Sequence, residues 1–410
     1  MRSVPQTFKT TGDIVRIWFH EVRRVFEDRL INDDDLNLFR SILKEGISKG
    51  IGDFPEKDSP FQEPIIFTSF MSEFYSSVTD MIELRRVMKD KLEEYNDVKA
   101  QMNLVLFDQA IEHVCHITRI IELPGGNALL VGVGGSGKQS LARLSAFIAE
   151  FELEQMVVTQ SFNMNDLRTF LSEMYRKLAK PNAMPRVYMV TDTQIKTESF
   201  LIPINDMLNA GWISDLFTKE DFDAMIGNLR NEAKGNGVPD NIDSLLSYFY
   251  DRMKKLLKIV LCFSPVGNLM RVRARKFPGI INSTCIDWFH PWPRDALIDV
   301  ANKFLQEAEL ETEELREKIA VNMAETHLSI DIANDKFRKL ERRNNYTTPK
   351  SFLELISFYK TLLDDKRGQI ERQIKRYTLG LQILADTKDK VEGLQEDLKI
   401  KMVEVKKQRE

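Results

Sequence analysis

Five short runs rich in apolar residues recur along the chain, separated by longer stretches in which apolar and polar residues mix. The runs lie at residues 128–131, 155–159, 186–191, 256–263 and 285–289. Between them, apolar residues return every three or four positions, which is the period of an amphipathic helix. Short apolar runs that alternate with helical segments are typical of strands in a parallel sheet covered by helices. The pattern therefore predicts an α/β domain.

Helical spacing dominates both flanks of this domain. Before it, helices are predicted over residues 11–30 and 69–101. The second of these places four apolar residues on one side: Leu84, Met88, Leu92 and Tyr95. After the last apolar run, nearly everything from Arg294 onward has a helical pattern. The sequence thus predicts one helical unit before the α/β domain and another after it.

The last segment carries a heptad pattern. The seam alternates steps of four and three through Ile370, Ile374, Tyr377, Leu381, Leu384, Lys388 and Val391. A stutter follows through Leu394, Leu398, Met402 and Val405. A narrow apolar seam with charges elsewhere needs one partner helix, so the segment predicts half of an antiparallel coiled coil. We expect the returning half to lie outside this sequence, and both ends of the sequence to be cuts through a longer chain.

A glycine-rich segment follows the first apolar run. Lys138 ends this segment, and an apolar-periodic helix begins directly afterwards. Glycines allow backbone N–H groups to close around phosphate oxygens, the helix N-terminus adds its dipole, and the lysine adds a full positive charge. Strand, turn and helix give the context of a Walker A motif, and an ordinary glycine turn is the alternative. The predicted phosphate-binding residues are Gly132, Val133, Gly134, Gly135, Ser136, Gly137, Lys138, Gln139 and Ser140.

Gln139 departs from the Walker A pattern. The position after the lysine normally holds a serine or threonine, whose hydroxyl ligates Mg²⁺. Ser140 comes one place later, and one step along a helix rotates the side chain by ~100°. Ser140 therefore does not simply replace the missing hydroxyl. Either the amide oxygen of Gln139 approaches the metal, or metal binding is weakened.

An acid ends the third apolar run. Asp192 follows the strand predicted at 186–191, about fifty residues after the glycine loop. This is the position of a Walker B carboxylate, which holds Mg²⁺ directly or through water, and a helix cap or turn acid is the alternative. The next residue is Thr193, whose hydroxyl is too weak a base to take a proton from water at neutral pH. The sequence predicts a Mg²⁺ site at Asp192 and Gln139 without a base beside it.

Composition narrows the classes of function. The chain has 410 residues and a formal net charge of −4, so bulk electrostatics give no case for nucleic-acid binding. No apolar run approaches the ~18 residues of a membrane span, and the N-terminus lacks the features of a signal peptide. Cys115, Cys262 and Cys285 are interpreted as reduced core residues of an intracellular protein. His113 and His116 share a helix face without a third ligand at a telling spacing, so we interpret them as surface or packing residues.

Several segments together resemble one protein family. They are Leu-Val-Leu-Phe-Asp-Gln-Ala-Ile-Glu-His-Val-Cys at 104–115, the glycine loop with its flanks at 126–140, and residues 261–267 and 277–289. They are similar to the fourth AAA+ module of dynein heavy chains, and the axonemal (ciliary) branch fits best. The resemblance covers nearly the whole chain, and it implies a helical small domain and a coiled-coil helix after an AAA+ P-loop NTPase domain. The implied parts are the lid of the third module with a linker at 1–96, the large α/β domain at 97–293, the small domain at 294–365 and the start of the stalk at 366–410.

The resemblance implies a ring motor of six linked AAA+ modules that moves along microtubules and drives ciliary beating. Its main hydrolysis site would lie in the first module, while the fourth would bind ATP or ADP and tune the ring. The implied partners are the neighbouring modules, other dynein chains and a microtubule reached through a stalk tip outside this sequence, with neither nucleic acid nor membrane. The implied location is the cytoplasm and the axoneme of a cilium or flagellum.

The resemblance also extends the predicted site. Leu104, Val105 and Lys350 are expected to contact the nucleotide, although a lysine in solvent explains Lys350 equally well. Arg273 or Arg275 is expected to act as an arginine finger that reaches the neighbouring module's nucleotide. A solvated positive face is the alternative for these two arginines.

Two positions depart from the pattern of active AAA+ enzymes. These enzymes usually carry a glutamate after the Walker B acid and often an asparagine near the end of a later strand, where this chain has Thr193 and Ser264. Glu198 is a poor substitute for the glutamate. Asp192 and Ser264 thus hold catalytic positions in degenerate form, and we expect nucleotide binding with weak or absent hydrolysis. The alternatives are an autonomous AAA+ remodelling ATPase and a purely structural ring segment.

Overall fold

The computed structural model describes residues 8–55, 59–72 and 74–409. Contacts between these residues divide the chain into two compact units. The first unit holds the residues up to Asp299 together with Thr348–Lys350, and the second holds Val300–Thr347 and the residues from Ser351 onward. Among the helices described, none combines the length and the apolar character needed to cross a bilayer.

The N-terminal part of the first unit forms a small layer with a core of its own. Its elements are α1 (Thr11–Phe26), α2 (Asp33–Ile51) and the antiparallel strands β1 (Phe67–Thr68) and β2 (Ser76–Ser77). A capping box starts α1, in which Thr10 and Asp13 each accept a hydrogen bond from the other's backbone N–H. The layer buries Val15, Phe19, Ile47, Ile65, Phe67 and Tyr75. The helix predicted over residues 11–30 ends at Phe26 and continues as a 3₁₀ turn, Glu27–Arg29.

Two further helices lead to the central sheet, α3 (Met81–Val98) and α4 (Asp108–Glu122). The carboxylate of Asp80 caps α3 by accepting hydrogen bonds from the backbone N–H groups of Ile82 and Glu83. As the spacing predicts, α3 buries Leu84, Met88, Leu92 and Tyr95. The helix predicted over residues 69–101 is shorter than expected, because β2 and irregular segments occupy the residues before Asp80.

The centre of the first unit is a five-stranded sheet in which all pairs are parallel. The strands lie side by side in the order β4 (Glu152–Glu154), β5 (Arg186–Thr191), β6 (Leu257–Phe263), β3 (Ala128–Gly132) and β7 (Cys285–Phe289). The register places Ala128 opposite Val260 on one side and Cys285 on the other. The strand β3, which leads into the glycine loop, is therefore flanked by partners on both edges.

Helices cover both faces of this sheet. They are α3 and α4 together with α5 (Lys138–Ile148), α6 (Met164–Leu178), α7 (Leu201–Ala210), α8 (Lys219–Gly235) and α9 (Ile242–Leu256), while α10 (Leu269–Lys276) and α11 (Gly279–Asn282) connect β6 to β7. Ala128 and Leu130 belong to the core formed with α3, α4 and α5. Leu129 and Val131 belong to the core formed with α6, α7, α8 and α9. The α/β architecture predicted from the apolar runs is confirmed, since these strands are buried on both faces.

The strand predicted at residues 155–159 lies a few residues too late. The observed strand β4 pairs with Arg186–Tyr188 of β5, and Arg186 forms ion pairs with Glu152 and Glu154. The backbone carbonyl of Met156 instead accepts a hydrogen bond from the side-chain amide of Gln194, 2.6 Å away. Edge strands commonly carry charged residues, so apolar content misplaces this one.

The second unit is helical. The helices are α12 (Arg294–Leu305), which begins in the first unit, α13 (Glu313–Glu341) and α14 (Pro349–Arg409). Unbroken over 61 residues, α14 joins the predicted small-domain helix and the predicted coiled-coil helix into one element. Its heptad seam is exposed, with Leu381 and Leu384 each 68% accessible. The domain boundaries predicted after residues 96, 293 and 365 stay predictions.

Candidate nucleotide-binding site

Three strand ends meet at one edge of the sheet. Because β6 lies between β3 and β5 and all three run parallel, their carboxyl ends are neighbours. The glycine loop follows β3, Asp192 follows β5 and Ser264 follows β6. Together they enclose a cavity of about 450 Å³. Its lining consists of Gly132, Gly134, Gly135, Ser136, Gly137, Lys138, Gln139, Ser140, Thr191, Asp192, Thr193, Cys262 and Ser264.

Two glycines of the loop have no room for a side chain. A Cβ on Gly132 would lie 2.6 Å from the Cβ of Phe289 and 2.9 Å from the Oγ of Ser136. Gly135 has φ +81°, and its Cβ would lie 2.5 Å from the Cβ of Lys350. Packing against Phe289, Ser136 and Lys350 therefore requires glycine at both positions, and the loop backbone carries no side chain there, as a phosphate cradle requires.

Lys138 lies at the centre of the loop. Its ammonium donates hydrogen bonds to the backbone oxygens of Gly132 and Val133, at 2.7 and 2.8 Å, and to the Oγ of Ser136, at 3.1 Å. Burial lowers the pKa of Lys138, and Cys262 and Asp192 partly offset that effect. A lysine so held at a helix N-terminus beside a cavity presents a fixed positive charge to an anion.

The remaining predicted nucleotide contacts divide into two groups. Lys350, in the first turn of α14, packs directly against Gly135 and is thereby brought to the phosphate loop. Leu104 and Val105 are half-buried, and Leu104 packs against the core that includes α3 and α4. None of the three is among the residues lining the cavity, so contact of Leu104, Val105 and Lys350 with a nucleotide stays a prediction.

Asp192 is held by two donors. Its Oδ1 accepts a hydrogen bond from the Nη1 of Arg273 at 2.6 Å, and its Oδ2 accepts one from the backbone N–H of Ser264. The Arg273 side chain is only 8% exposed, and its guanidinium lies 5.5 Å from the ring centre of Phe263. The Arg273 side chain therefore turns inward in this structure, and its role as an arginine finger for a neighbouring module stays a prediction. Arg275 is exposed, and its role as a finger stays a prediction.

The donor set does not fit the predicted Mg²⁺ site. A Walker A hydroxyl is missing, since the exposed amide side chain of Gln139 occupies its position. Ser140 also lines the cavity, but it lies one step further along α5. The carboxylate of Asp192 already binds a cationic side chain and a backbone N–H. Of the two sequence-based possibilities, these contacts favour weakened metal binding over approach by Gln139.

The described residues around the cavity also lack a second carboxylate. The hydroxyl of Thr193 is 3.0 Å from that of Thr191, and Gln194 is buried, with its amide accepting from the backbone N–H of Thr191. Glu198 forms an ion pair with Lys276 at 2.5 Å. Of these side chains, only Thr191 and Thr193 line the cavity. A threonine hydroxyl is too weak a base to take a proton from water at neutral pH.

One charged cluster was missed in the sequence. His113 and His116, interpreted as surface or packing residues, both face Asp287 of β7, and the ligand atoms of the three lie within 4.8 Å of one another. The Nδ1 of His113 is 2.9 Å from the Asp287 carboxylate. Arg24 of α1 extends its guanidinium to 2.9 Å from the Nδ1 of His116. This positive charge opposes a metal ion, so the cluster is better described as a buried charge network joining α1 to the sheet.

The electrostatics of this network follow from burial and pairing. Burial opposes the charged form of Asp287, but His113 and His116 outweigh it and hold the pKa of Asp287 well below its usual range. Burial also opposes a charged His113, yet the Asp287 carboxylate raises the pKa of His113 overall. For His116, burial lowers the pKa to about 4, and Arg24 adds to this effect. His113 and Asp287 are thus stabilised as a buried ion pair.

Sequence comparisons identify the family to which this architecture belongs. Residues 102–362 match the model of the P-loop containing dynein motor region D4, and residues 1–59 match that of the AAA+ lid domain. The chain belongs to the dynein heavy-chain family. The AAA+ P-loop fold and the dynein resemblance expected from the sequence are thereby confirmed.

Several curated dyneins resemble the chain along nearly its whole length. It is 42% identical over 98% of its length to the dynein beta chain of the flagellar outer arm of Chlamydomonas reinhardtii. It is 40% identical over 100% of its length to dynein axonemal heavy chain 17 of Mus musculus, and 41% identical over 100% to the ciliary dynein beta chain of Tripneustes gratilla. The chain spans 9% of the length of each of these dynein relatives.

Proposed function

We propose that this chain is a regulatory nucleotide-binding AAA+ module of an axonemal dynein heavy chain, which holds ATP or ADP and hydrolyses it slowly or not at all. The observation that carries the proposal is the ammonium of Lys138, held at the centre of a glycine loop whose positions 132 and 135 have no room for a Cβ. The relatives supply the context, since they are flagellar, axonemal or ciliary dyneins.

The heavy chain containing this module would act as an ATP-driven microtubule motor in the axoneme of a cilium or flagellum. Its partners there would be the neighbouring AAA+ modules, other dynein chains, and a microtubule reached through a stalk tip. Support comes from the match to a dynein motor region and from the lid match that precedes it. Whole relatives are about ten times longer than this chain, so most of these contacts would be made by other segments.

Contacts on the other side of the cavity support the proposal of slow hydrolysis. Thr193 stands where a base would activate water, and the Asp192 carboxylate is engaged by Arg273 and the Ser264 N–H. Loss of a positioned general base reduces a rate by about 10²–10⁴-fold. The proposal therefore combines an intact glycine loop and lysine for phosphate binding with altered residues at the positions that would promote phosphate transfer.

The test of binding is the change Lys138→Ala. Removing one charge-assisted contact costs about 1.5–3 kcal/mol, so the Kd for a fluorescent ADP or ATP analogue is expected to rise about 10- to 150-fold. Lys219→Ala, at an exposed position in the first turn of α8, is the matched control and is expected to leave the Kd unchanged. Equal affinity in the two variants would refute the assignment and favour the structural ring segment.

The test of slow hydrolysis is turnover of ATP by the purified chain. We expect phosphate release at background level, and a measurable gain in Thr193→Glu but not in Thr193→Gln, since only glutamate adds a base. Rapid turnover by the unaltered chain that disappears in Lys138→Ala would instead support an autonomous ATPase.

The exposed seam of α14 supports the proposal of an outgoing stalk helix. Its occupant would be a returning helix from a later part of the heavy chain, packed antiparallel. Cysteines introduced at Leu381 or Leu398 in the longer heavy chain should cross-link to that helix, and the pairs formed should differ between nucleotide states if the two helices slide. Failure to cross-link in every nucleotide state would argue against the stalk.

A further inference from the structure

The two groups that normally hold Mg²⁺ in a P-loop site are altered independently. On α5, Gln139 replaces the metal-ligating hydroxyl, and its side chain is exposed. At the end of β5, the Asp192 carboxylate contacts Arg273 at 2.6 Å through one oxygen and the Ser264 backbone N–H through the other. The first change removes a ligand, and the second occupies one acceptor position on each oxygen of the other ligand, at one of them with a full positive charge.

We propose that this module binds its nucleotide without Mg²⁺, and that Arg273 takes the metal's place as the cation on Asp192. The proposal rests on the nucleotide-binding function proposed above and adds the chemical form of the ligand, a metal-free nucleotide. Arg273 acts through Asp192 and is therefore a positioning residue.

Burial fixes Arg273 in this role. Its side chain is 8% exposed, it packs over the Phe263 ring, and its Nε finds no acceptor among the described residues. Moving the guanidinium away from Asp192 would leave a buried charge without a carboxylate, which is strongly unfavourable. A dication placed on the same carboxylate would also meet this guanidinium at close range, and like charges repel most where water is excluded.

The charge balance of the cavity allows a polyphosphate to bind without a metal. In a metal-dependent site, the negative charge of the carboxylate at this position is offset by Mg²⁺, which also binds the phosphates. Here Arg273 offsets that charge within the protein, which leaves Lys138 and the N-terminus of α5 to face the phosphates. The cavity therefore keeps a positive balance that other P-loops obtain from the ion.

The experiment compares the Kd of a fluorescent ADP analogue for the unaltered chain in excess Mg²⁺ and in excess EDTA. We expect the two values to agree within about threefold, equivalent to about 0.7 kcal/mol. A Kd at least about tenfold higher in EDTA would overturn this inference while leaving the nucleotide-binding function intact. Absence of binding in both solutions would overturn the proposed function itself.

Variants separate this role of Arg273 from a structural one. Arg273→Ala frees Asp192, so the ratio of the Kd in EDTA to that in Mg²⁺ should rise to about fivefold or more, and adding Gln139→Ser should raise it further. Arg273→Lys keeps a cation and should leave the ratio near one. Arg271→Ala, exposed on the same helix α10, is the matched control and should also leave it near one. If Arg273→Ala weakened binding equally in both solutions, the residue would have only a structural role and the inference would fail.

Discussion

Two aspartates of the same sheet are held by cations in contrasting ways. Asp192 leaves β5 at the carboxyl edge, where 31% of its side chain is exposed beside the cavity, and it binds Arg273. Asp287 lies inside β7 with 8% of its side chain exposed, and it binds His113 and, at longer range, His116. A carboxylate at a strand end keeps access to a ligand, whereas one within the layers can only stabilise the fold. An ion pair to an aspartate therefore does not by itself distinguish a ligand-binding site from a contact that only stabilises the fold.

The largest expected effect is on stability at the enclosed aspartate. Asp287→Ala would leave His113 and His116 without the carboxylate that both face, and breaking a buried ion pair in this way costs about 3–5 kcal/mol. We expect a corresponding loss in the free energy of unfolding measured in urea. Asp223→Ala, exposed on α8, is the control and should change it by less than about 0.5 kcal/mol. Equal losses of unfolding free energy in Asp287→Ala and Asp223→Ala would contradict a stabilising role for the buried Asp287.

A smaller loss is expected at the strand end. In Asp192→Ala the buried Arg273 loses its acceptor, which costs about 1–3 kcal/mol, and water can enter through the cavity to replace part of the contact. The double variant with Arg273→Ala should be more stable than the sum of the two single losses predicts, because the unpaired charge is gone. If the losses simply add, the pair is not coupled in the folded protein.

The pH dependence of stability should report the enclosed pair. The folded-state pKa of His113 is raised above 6.5, so its contribution is present below that pH and is lost as the pH rises through the raised value. The pKa of Asp287 is lowered below 3.8, so its contribution is lost only in stronger acid. The difference in the free energy of unfolding between the unaltered chain and His113→Gln should therefore be largest at pH values between 3.8 and 6.5. It should shrink at alkaline pH, where His113 is neutral in both the folded and the unfolded chain. A difference that grows with pH would contradict the pairing.

The smallest effect is expected for a carboxylate on the surface. Glu198 pairs with Lys276, and these side chains are 33% and 58% exposed. Exposed ion pairs contribute between about 0 and 1 kcal/mol. Glu198→Gln should leave both the free energy of unfolding and any residual ATP turnover nearly unchanged. A clear fall in turnover would show that Glu198 substitutes for the missing base after all.

The sequence was sufficient for the features that depend on neighbours along the chain. The glycine loop and Asp192 were predicted from a strand followed by turn residues, and the parallel sheet brings both to one cavity. The apolar face of α3 was equally clear, because helical spacing places its four buried residues on one side. The strand–turn pattern and the helical spacing are local features of the sequence, and the tertiary contacts are consistent with them.

Pairings between distant residues were beyond the sequence pattern. His113 is 174 residues from Asp287, so a search for nearby ligands found only His116. Arg273 lies 81 residues from Asp192, and its position in a basic run favoured an outward finger or a solvated face. Its burial depends on how α10 packs at the sheet edge, and no residue near it in sequence signals that. A buried arginine beside a strand-end acid could be sought wherever the Walker A hydroxyl is missing.

The alkylation rate of the Cys262 thiol can serve as a probe of the cavity. This residue of β6 lines the cavity yet is 4% exposed, and burial raises the pKa of its thiol to about 12. At pH 8 only roughly one thiol in ten thousand would then be the reactive thiolate. The rate of alkylation at Cys262 should accordingly be limited by transient opening of the strand ends. A ligand that closes the glycine loop over β6 should therefore lower the rate of Cys262 alkylation. This rate would report binding even for a ligand that carries no label and is not hydrolysed.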